Sequence, residues 1–175
     1  MDKTEKVGSS GTVSYSNSIT QFHANFYNLI NTRSNVADPK ISDSSRKFVY
    51  RREPSMDSIT DNGHPYVVVG SPSKSPVAKS ADGSLRILLR TFTITIVSTD
   101  DDYNREGKGK EDSDSIAEDI ENTLDNAGNL NTLLGYNVSP DIDYDTSEAT
   151  PDIQEDKDVY VRTIRVTVKG GLVVR

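Results

Sequence analysis

Asp141, Asp143 and Asp145 alternate along the chain, and Asp152 falls at the twelfth position counted from Asp141. That spacing imitates a calcium-binding loop, where alternate carboxylates and a twelfth-position acid converge on one hard cation. The imitation is incomplete. Thr146 stands at the sixth position, where the loop's sharp turn calls for glycine, and Asp152 is shorter than the bidentate Glu of such loops. No helical pattern flanks the segment, so a solvated acidic turn is the plainer reading. Ser71-Pro72-Ser73-Lys74 and Ser44-Ser45-Arg46-Lys47 both spell S-x-x-K, the spacing of a serine nucleophile and its lysine base. That pair works only on a helical turn, which Pro72 and Pro76 disfavour at the first site. Gly107-Lys108-Gly109-Lys110 has the glycines and lysines of a phosphate-cradling loop but not the G-x-x-x-x-G-K-[ST] order. Its expected form is a polar loop.

Arg46, Lys47, Arg51 and Arg52 form the one dense basic cluster, interleaved with Phe48 and Tyr50. Nucleic acid is one chemistry for such a patch. A solvated strand face, or a contact for an acidic neighbouring protein, is the simpler expectation. His23 lies on the apolar stripe of the first helical pattern and is expected to complete that stripe. The sequon Asn137-Val138-Ser139 is followed by Pro140, and glycosylation is not expected there. Cysteine is absent, which excludes disulfides, thiolate metal sites and cysteine nucleophiles, and with only two histidines a His-rich metal site is excluded as well. No acid–base pair, metal cluster or nucleotide loop emerges, so neither catalysis nor a cofactor is expected.

What must position these residues is a chain of 175 amino acids, enough for one domain with a modest core, since apolar residues make up only 33%. No apolar stretch is long enough to span a membrane, and the first residues carry no apolar core of a secretory signal. The formal charge of −7 is unevenly placed: residues 101–158 hold 18 acidic and 4 basic groups, whereas residues 159–175 hold 4 basic groups and no acid. Asp outnumbers Glu by 19 to 8, as turn-rich acidic segments do. An acidic block of this kind repels DNA rather than gripping it.

Residues 1–15 read as a flexible polar arm and 172–175 as a tail released by Gly170-Gly171. Between them lies a single α+β domain, 16–171, with polar insertions near 39–64 and 99–112. Ile19, Phe22, His23, Phe26, Leu29 and Ile30 recur at helical spacing and predict a helix over about 17–33. A short strand is expected within Lys47–Arg52. Asp61-Asn62-Gly63 signals a turn, and Pro65 leads the apolar run Tyr66–Val69, a strand. Ser73–Ser84 reads as a loop or hairpin tip. In Leu85–Ser98 the residues Phe92, Ile94 and Ile96 alternate with Thr91, Thr93 and Thr95, the period-two pattern of a strand with one buried face. A second helix is predicted from a cap at Ser113 or Ser115, with Ile116, Ala117, Ile120, Leu124 and Ala127 inward. Leu130, Leu133 and Leu134 predict a short hook, Tyr136–Val138 a short strand, and Asp141–Asp158 an acidic turn region. Val159–Lys169 is a strong strand, and Arg162 shares the face of Tyr160, Ile164, Val166 and Val168, marking a strand end or a functional position. The expected architecture is an antiparallel β-sheet with a long hairpin arm, packed on one face by two α-helices.

This order of elements resembles the tail terminator (tail completion) proteins of long-tailed viruses of bacteria and archaea. The matching features are the N-terminal amphipathic helix, the proline-led strand Pro65-Tyr66-Val67-Val68-Val69 and the alternating strand Arg90–Val97. The acidic helix Ser115–Ala127, the segment Leu133-Leu134-Gly135-Tyr136 and the final strand Val159–Lys169 complete it. The likeness covers the first helix and roughly residues 65–170. It implies a virion protein at the head–tail junction, assembled in the host cytoplasm, and a ring, commonly of six copies. Such a ring caps the tail tube, ends its polymerisation and joins it to the neck while leaving a channel for DNA. The partners implied are further copies of itself, the tail tube protein and a neck or connector protein. Under that reading Arg46, Lys47, Arg51 and Arg52 would meet a partner ring. Asp100, Asp101, Asp102, Glu118, Asp119 and Glu121 would line the lumen and keep DNA sliding. Two alternatives stand beside it: another head–tail connector such as a head-closure or adaptor protein, and a calcium-dependent interaction module built on Asp141, Asp143, Asp145 and Asp152.

Overall fold

Two long strands organise the protein. The computed structural model describes residues 19–40, 46–79, 81, 85–100, 108–126, 141–148, 150–154 and 157–173. Its elements in chain order are α1 (Ile19–Ile30), β1 (Val49–Tyr50), α2 (Met56–Asn62), β2 (Tyr66–Val69), β3 (Ser73–Lys79), β4 (Leu85–Thr99), α3 (Lys108–Asp125), β5 (Asp141–Thr146), β6 (Thr150–Gln154) and β7 (Lys157–Val173). β4 and β7 run antiparallel along their whole lengths, from Leu85 opposite Val173 to Thr99 opposite Val159. Two short strands lie end to end on each outer side of this pair. β2 and β3 pair with successive parts of β4, and β5 and β6 with successive parts of β7, all antiparallel. The architecture is α+β, with a seven-stranded sheet and three helices.

The period-two pattern of β4 has the expected consequence. Phe92, Ile94 and Ile96, with Ile164, Val166 and Val168 of β7, form one buried face. Helix α1 covers it with Phe22, Phe26, Leu29 and Ile30, and α3 with Ile116, Ala117, Ile120 and Leu124. Phe26 meets Phe92 edge-on at 4.4 Å between ring centres, a favoured aromatic geometry. Each such fully buried side chain contributes about 1.5–3 kcal/mol of transfer free energy. Ile142 and Tyr144 of β5 extend the same core, so the alternation in Asp141–Thr146 belongs to a strand and not to an acidic turn.

Several expectations are corrected. The sheet is not wholly antiparallel, because β1 pairs parallel to β2, Val49 opposite Val67. The crossover between them is α2, inside what reads as a polar insertion. Ser55 caps it by accepting from the Ser58 N–H, Asp57 sits in its first turn, and Gly63 ends it at φ 68°. A left-handed residue at a helix end suits glycine, so the turn signalled by Asp61-Asn62-Gly63 is the close of a helix. Ser73–Lys79 is a strand, paired with β4 and irregular between Pro76 and Ala78. Helix α3 begins at Lys108, well before the expected caps Ser113 and Ser115, which lie inside it. β7 continues through Gly170-Gly171 to Val173, because β4 supplies partners that far. The expected N-terminal arm, the leucine hook, the Tyr136–Val138 strand and Asn137 lie outside the described residues.

α2 lies on the face opposite α1 and α3. There Ile59 packs with Tyr50, Tyr66, Val68, Val97 and Val159 in a second, smaller apolar cluster.

Candidate functional site

The basic cluster divides in two. Arg46 is buried, and its guanidinium forks onto Asp38, Nε to Oδ2 at 2.9 Å and Nη2 to Oδ1 at 3.1 Å. Nη1 donates to the carbonyl oxygens of Asn62 at 2.6 Å and His64 at 3.1 Å, and Nη2 also donates to that of Pro65. A guanidinium has five N–H donors, and this set of acceptors employs the whole fork. Arg46 therefore fastens the end of α2 and the approach to β2. It is not a surface contact, which corrects its assignment to a partner interface.

Lys47, Arg51 and Arg52 remain exposed at the β1 edge of the sheet. With Tyr27, Tyr50, Glu53, Ser55 and Ser71 they line a cleft of about 800 Å³. The Arg51 guanidinium sits 4.5 Å over the Tyr27 ring, and the Lys47 ammonium 4.7 Å over that of Tyr50. Cation–π contacts of this kind hold the charges in place without neutralising them. Glu53 is the one acid among the residues lining the cleft, and its Oε1 accepts from the Tyr66 hydroxyl at 3.1 Å. Its three cations and single acid give the cleft a net positive lining.

The acids of α3 have mixed duties. Asp119 Oδ2 accepts from the Ala37 backbone N–H at 2.9 Å, and Glu121 Oε1 from the Thr146 hydroxyl at 2.6 Å. Asp125 accepts from the Tyr144 hydroxyl at 3.1 Å, and burial, followed by that hydrogen bond and the Asp125 charge, raises the Tyr144 phenol above its ordinary value. Asp100 accepts the Gly109 N–H at 2.7 Å and the Tyr160 hydroxyl at 3.3 Å, holding the first turn of α3 to the sheet. Asp114 pairs with Arg162, which explains why a cation stands on the core face of β7. Asp100, Asp119 and Glu121 thus serve the subunit's own fold, whereas Glu111 and Glu118 point outward. Asp101 and Asp102 lie outside the described residues.

No family model and no curated protein matches this chain.

The calcium-like spacing does not converge. Asp141 lies opposite Lys169 and Asp152 opposite Val159, both against β7. Ten strand residues separate those partners, or about 33 Å. Asp143 and Asp145 point to solvent on an extended strand. Among the described residues, no group of three or more His, Asp or Glu side chains is placed to share a metal ion. Ser71 and Lys74 are both exposed where β3 begins, and without a helical turn the lysine is not returned to the serine. Gly107 is outside the described residues, and Lys108-Gly109-Lys110 forms the first turn of α3. The ordinary reading of His23 holds: half-buried on α1, it places Nε2 2.8 Å from the Val69 carbonyl oxygen.

One surface escaped sequence reasoning. On the face opposite α1 and α3, a second cleft of about 970 Å³ is lined by residues including Met56, Ile59, Tyr66, Val97, Val159 and Val161. Met56 is 76% exposed. The signal was present at Ile96-Val97, which point to opposite faces of β4, and at Val159 and Val161, which share the face of β7 opposite Ile164, Val166 and Val168. Strands read that way when both faces have cover.

Proposed function

We propose that this chain is a tail terminator, a ring-forming virion protein that caps the tail tube, ends its polymerisation and joins it to the neck. The observation that carries this reading is the arm formed by β3, β4 and β7. Beyond Arg90, which is buried over the Phe22 ring of α1, the ladder continues from Leu89 to Leu85, with β7 on one side and β3 on the other. Five residues of strand extend about 17 Å. Among the described residues β3 pairs with β4 alone, so its other edge is open, and an open strand edge is where a neighbouring subunit can add, as a ring component requires. The apolar cleft under Met56 and the cationic cleft at the β1 edge add two further open surfaces. The succession of amphipathic helix, proline-led strand, long alternating strand, acidic helix and final long strand supports the same assignment.

The test is assembly. Purified protein imaged by negative stain is expected to show rings, alone or on the ends of tail tubes, and adding it to polymerising tube protein should arrest elongation. Continued elongation, with no protein at tube ends, would falsify the reading. Co-sedimentation with filled heads in place of tubes would transfer the protein to the connector class.

A further inference from the structure

The structure offers a cationic receptor and an acidic ligand that a single subunit cannot bring together. We propose that the cleft bearing Lys47, Arg51 and Arg52 receives the exposed acidic face of α3, with Glu111 and Glu118, from the adjacent copy of this chain. The inference deepens the ring reading and rests on it.

Placement argues for this occupant. The cleft lies at the β1 edge of a sheet ordered β1-β2-β4-β7-β5. Helix α3 is fixed over the middle of that sheet by Ile116, Ile120 and Leu124, packed with residues of β4 and β7. The span from β1 to β7 is three strand spacings, about 14 Å. The subunit therefore carries positive charge at one edge and negative charge on a helix set toward the other. Copies placed side by side bring unlike charges together at every junction, and that arrangement is head-to-tail, the kind of interface that closes into rings. A two-fold pairing of cleft with cleft would instead set like charges against each other.

The groups are suited to the task. Glu111 and Glu118 are seven residues apart on α3, two turns or about 10.5 Å, and both are exposed. Among the described residues Glu111 is tied to Lys108, at 3.5 Å on the surface, an interaction readily exchanged. Arg51 and Lys47 are held over Tyr27 and Tyr50, so less side-chain freedom is lost on docking. Under this interface Glu118 lies at the boundary between subunits, not in the wall of the channel.

Charge exchange tests it on the full chain. Arg51→Glu/Arg52→Glu alone, and Glu111→Lys/Glu118→Lys alone, should each raise the concentration of half-assembly by about tenfold or more. Both remain folded by circular dichroism, because every altered residue is exposed. Mixing the two variants restores complementary junctions in alternation, so assembly should return in the mixture. Rings that survive both reversals overturn this interface and leave the ring reading standing. A wild-type chain that stays monomeric at every concentration, with no oxidative cross-link between Arg51→Cys and Glu118→Cys copies, also overturns it. So does a cleft reversal that abolishes DNA binding while assembly is unchanged. Tube capping, assayed separately, decides the terminator reading in each case.

Discussion

Arg46 and Asp38 form a buried ion pair, each side chain about 3% exposed, with Nε and Oδ2 2.9 Å apart. The pair joins the segment after α1 to the residues leading into β1, and the remaining donors of Arg46 hold the carbonyls of Asn62, His64 and Pro65 ahead of β2. Removing one partner from such a pair strands the other charge in a dry site. Arg46→Ala and Asp38→Ala should each lower unfolding free energy by about 3–5 kcal/mol, read from urea denaturation. Arg46→Lys should recover little, since one ammonium cannot span acceptors arranged for a planar fork. A loss below about 1 kcal/mol for Arg46→Ala would mean that the pair is open to water.

Gly109 is a helix residue that alanine should not improve. Alanine ordinarily favours a helix interior by up to about 1 kcal/mol over glycine. Here an added Cβ would come within 2.6 Å of the Thr99 carbonyl carbon and 2.9 Å of the Asp100 nitrogen, both backbone atoms. The first turn of α3 would have to move off the end of β4, breaking the Gly109 N–H to Asp100 bond and the bond from the Ser98 hydroxyl to the Gly109 carbonyl. Gly109→Ala is expected to destabilise by about 1–3 kcal/mol in thermal or urea unfolding. A stabilised variant would contradict this contact.

The sequence disclosed those parts of the fold whose burial is one-sided. Phe92, Ile94 and Ile96 alternate with threonines because only one face of β4 is covered by the main core, and the stripe from Phe22 to Ile30 exposes the same logic on α1. Helix α2 was hidden because its seven residues include only two apolar ones, Met56 and Ile59, and its signals are capping residues rather than periodicity. Asp141–Thr146 reads as a turn because its outward residues are carboxylates, yet Ile142 and Tyr144 facing the core are enough to make it a strand. Arg46 was legible as a cation but not as a buried one, since its partners lie 8 to 19 residues away along the chain. Lys47, Arg51 and Arg52 were legible as a patch. Tyr50 was legible beside them, but Tyr27, which sets the position of Arg51, was not, because it comes from α1.

Calcium should have no specific effect through Asp141, Asp143, Asp145 and Asp152. A calcium site gathers six to eight oxygens at about 2.3–2.6 Å from one point, whereas strand residues two apart are separated by about 7 Å. Millimolar calcium chloride is expected to move the melting temperature no more than magnesium chloride of equal ionic strength. A calcium-specific rise that Asp143→Asn/Asp145→Asn removes would restore the calcium-module alternative.

Stability should decline at alkaline pH, with Tyr66 contributing. Its ring is buried, and its hydroxyl donates to Glu53; burial first, and the Glu53 charge second, push the phenol well above its ordinary value near 10. Below about pH 10 the group is protonated in both folded and unfolded chains and adds no slope. Above that, the unfolded chain releases the proton while the folded chain retains it, so stability falls as pH rises toward the folded pKa. Lys108, raised chiefly by its hydrogen bond to Asp112, acts in the same direction. Tyr66→Phe removes one titration and one hydrogen bond. It should be about 1 kcal/mol less stable than wild type at pH 8, and the gap should narrow between pH 10 and 11 as the wild-type chain loses its advantage. Urea midpoints across that range measure the convergence, and a gap that widened with pH would reverse the sign assigned to Tyr66.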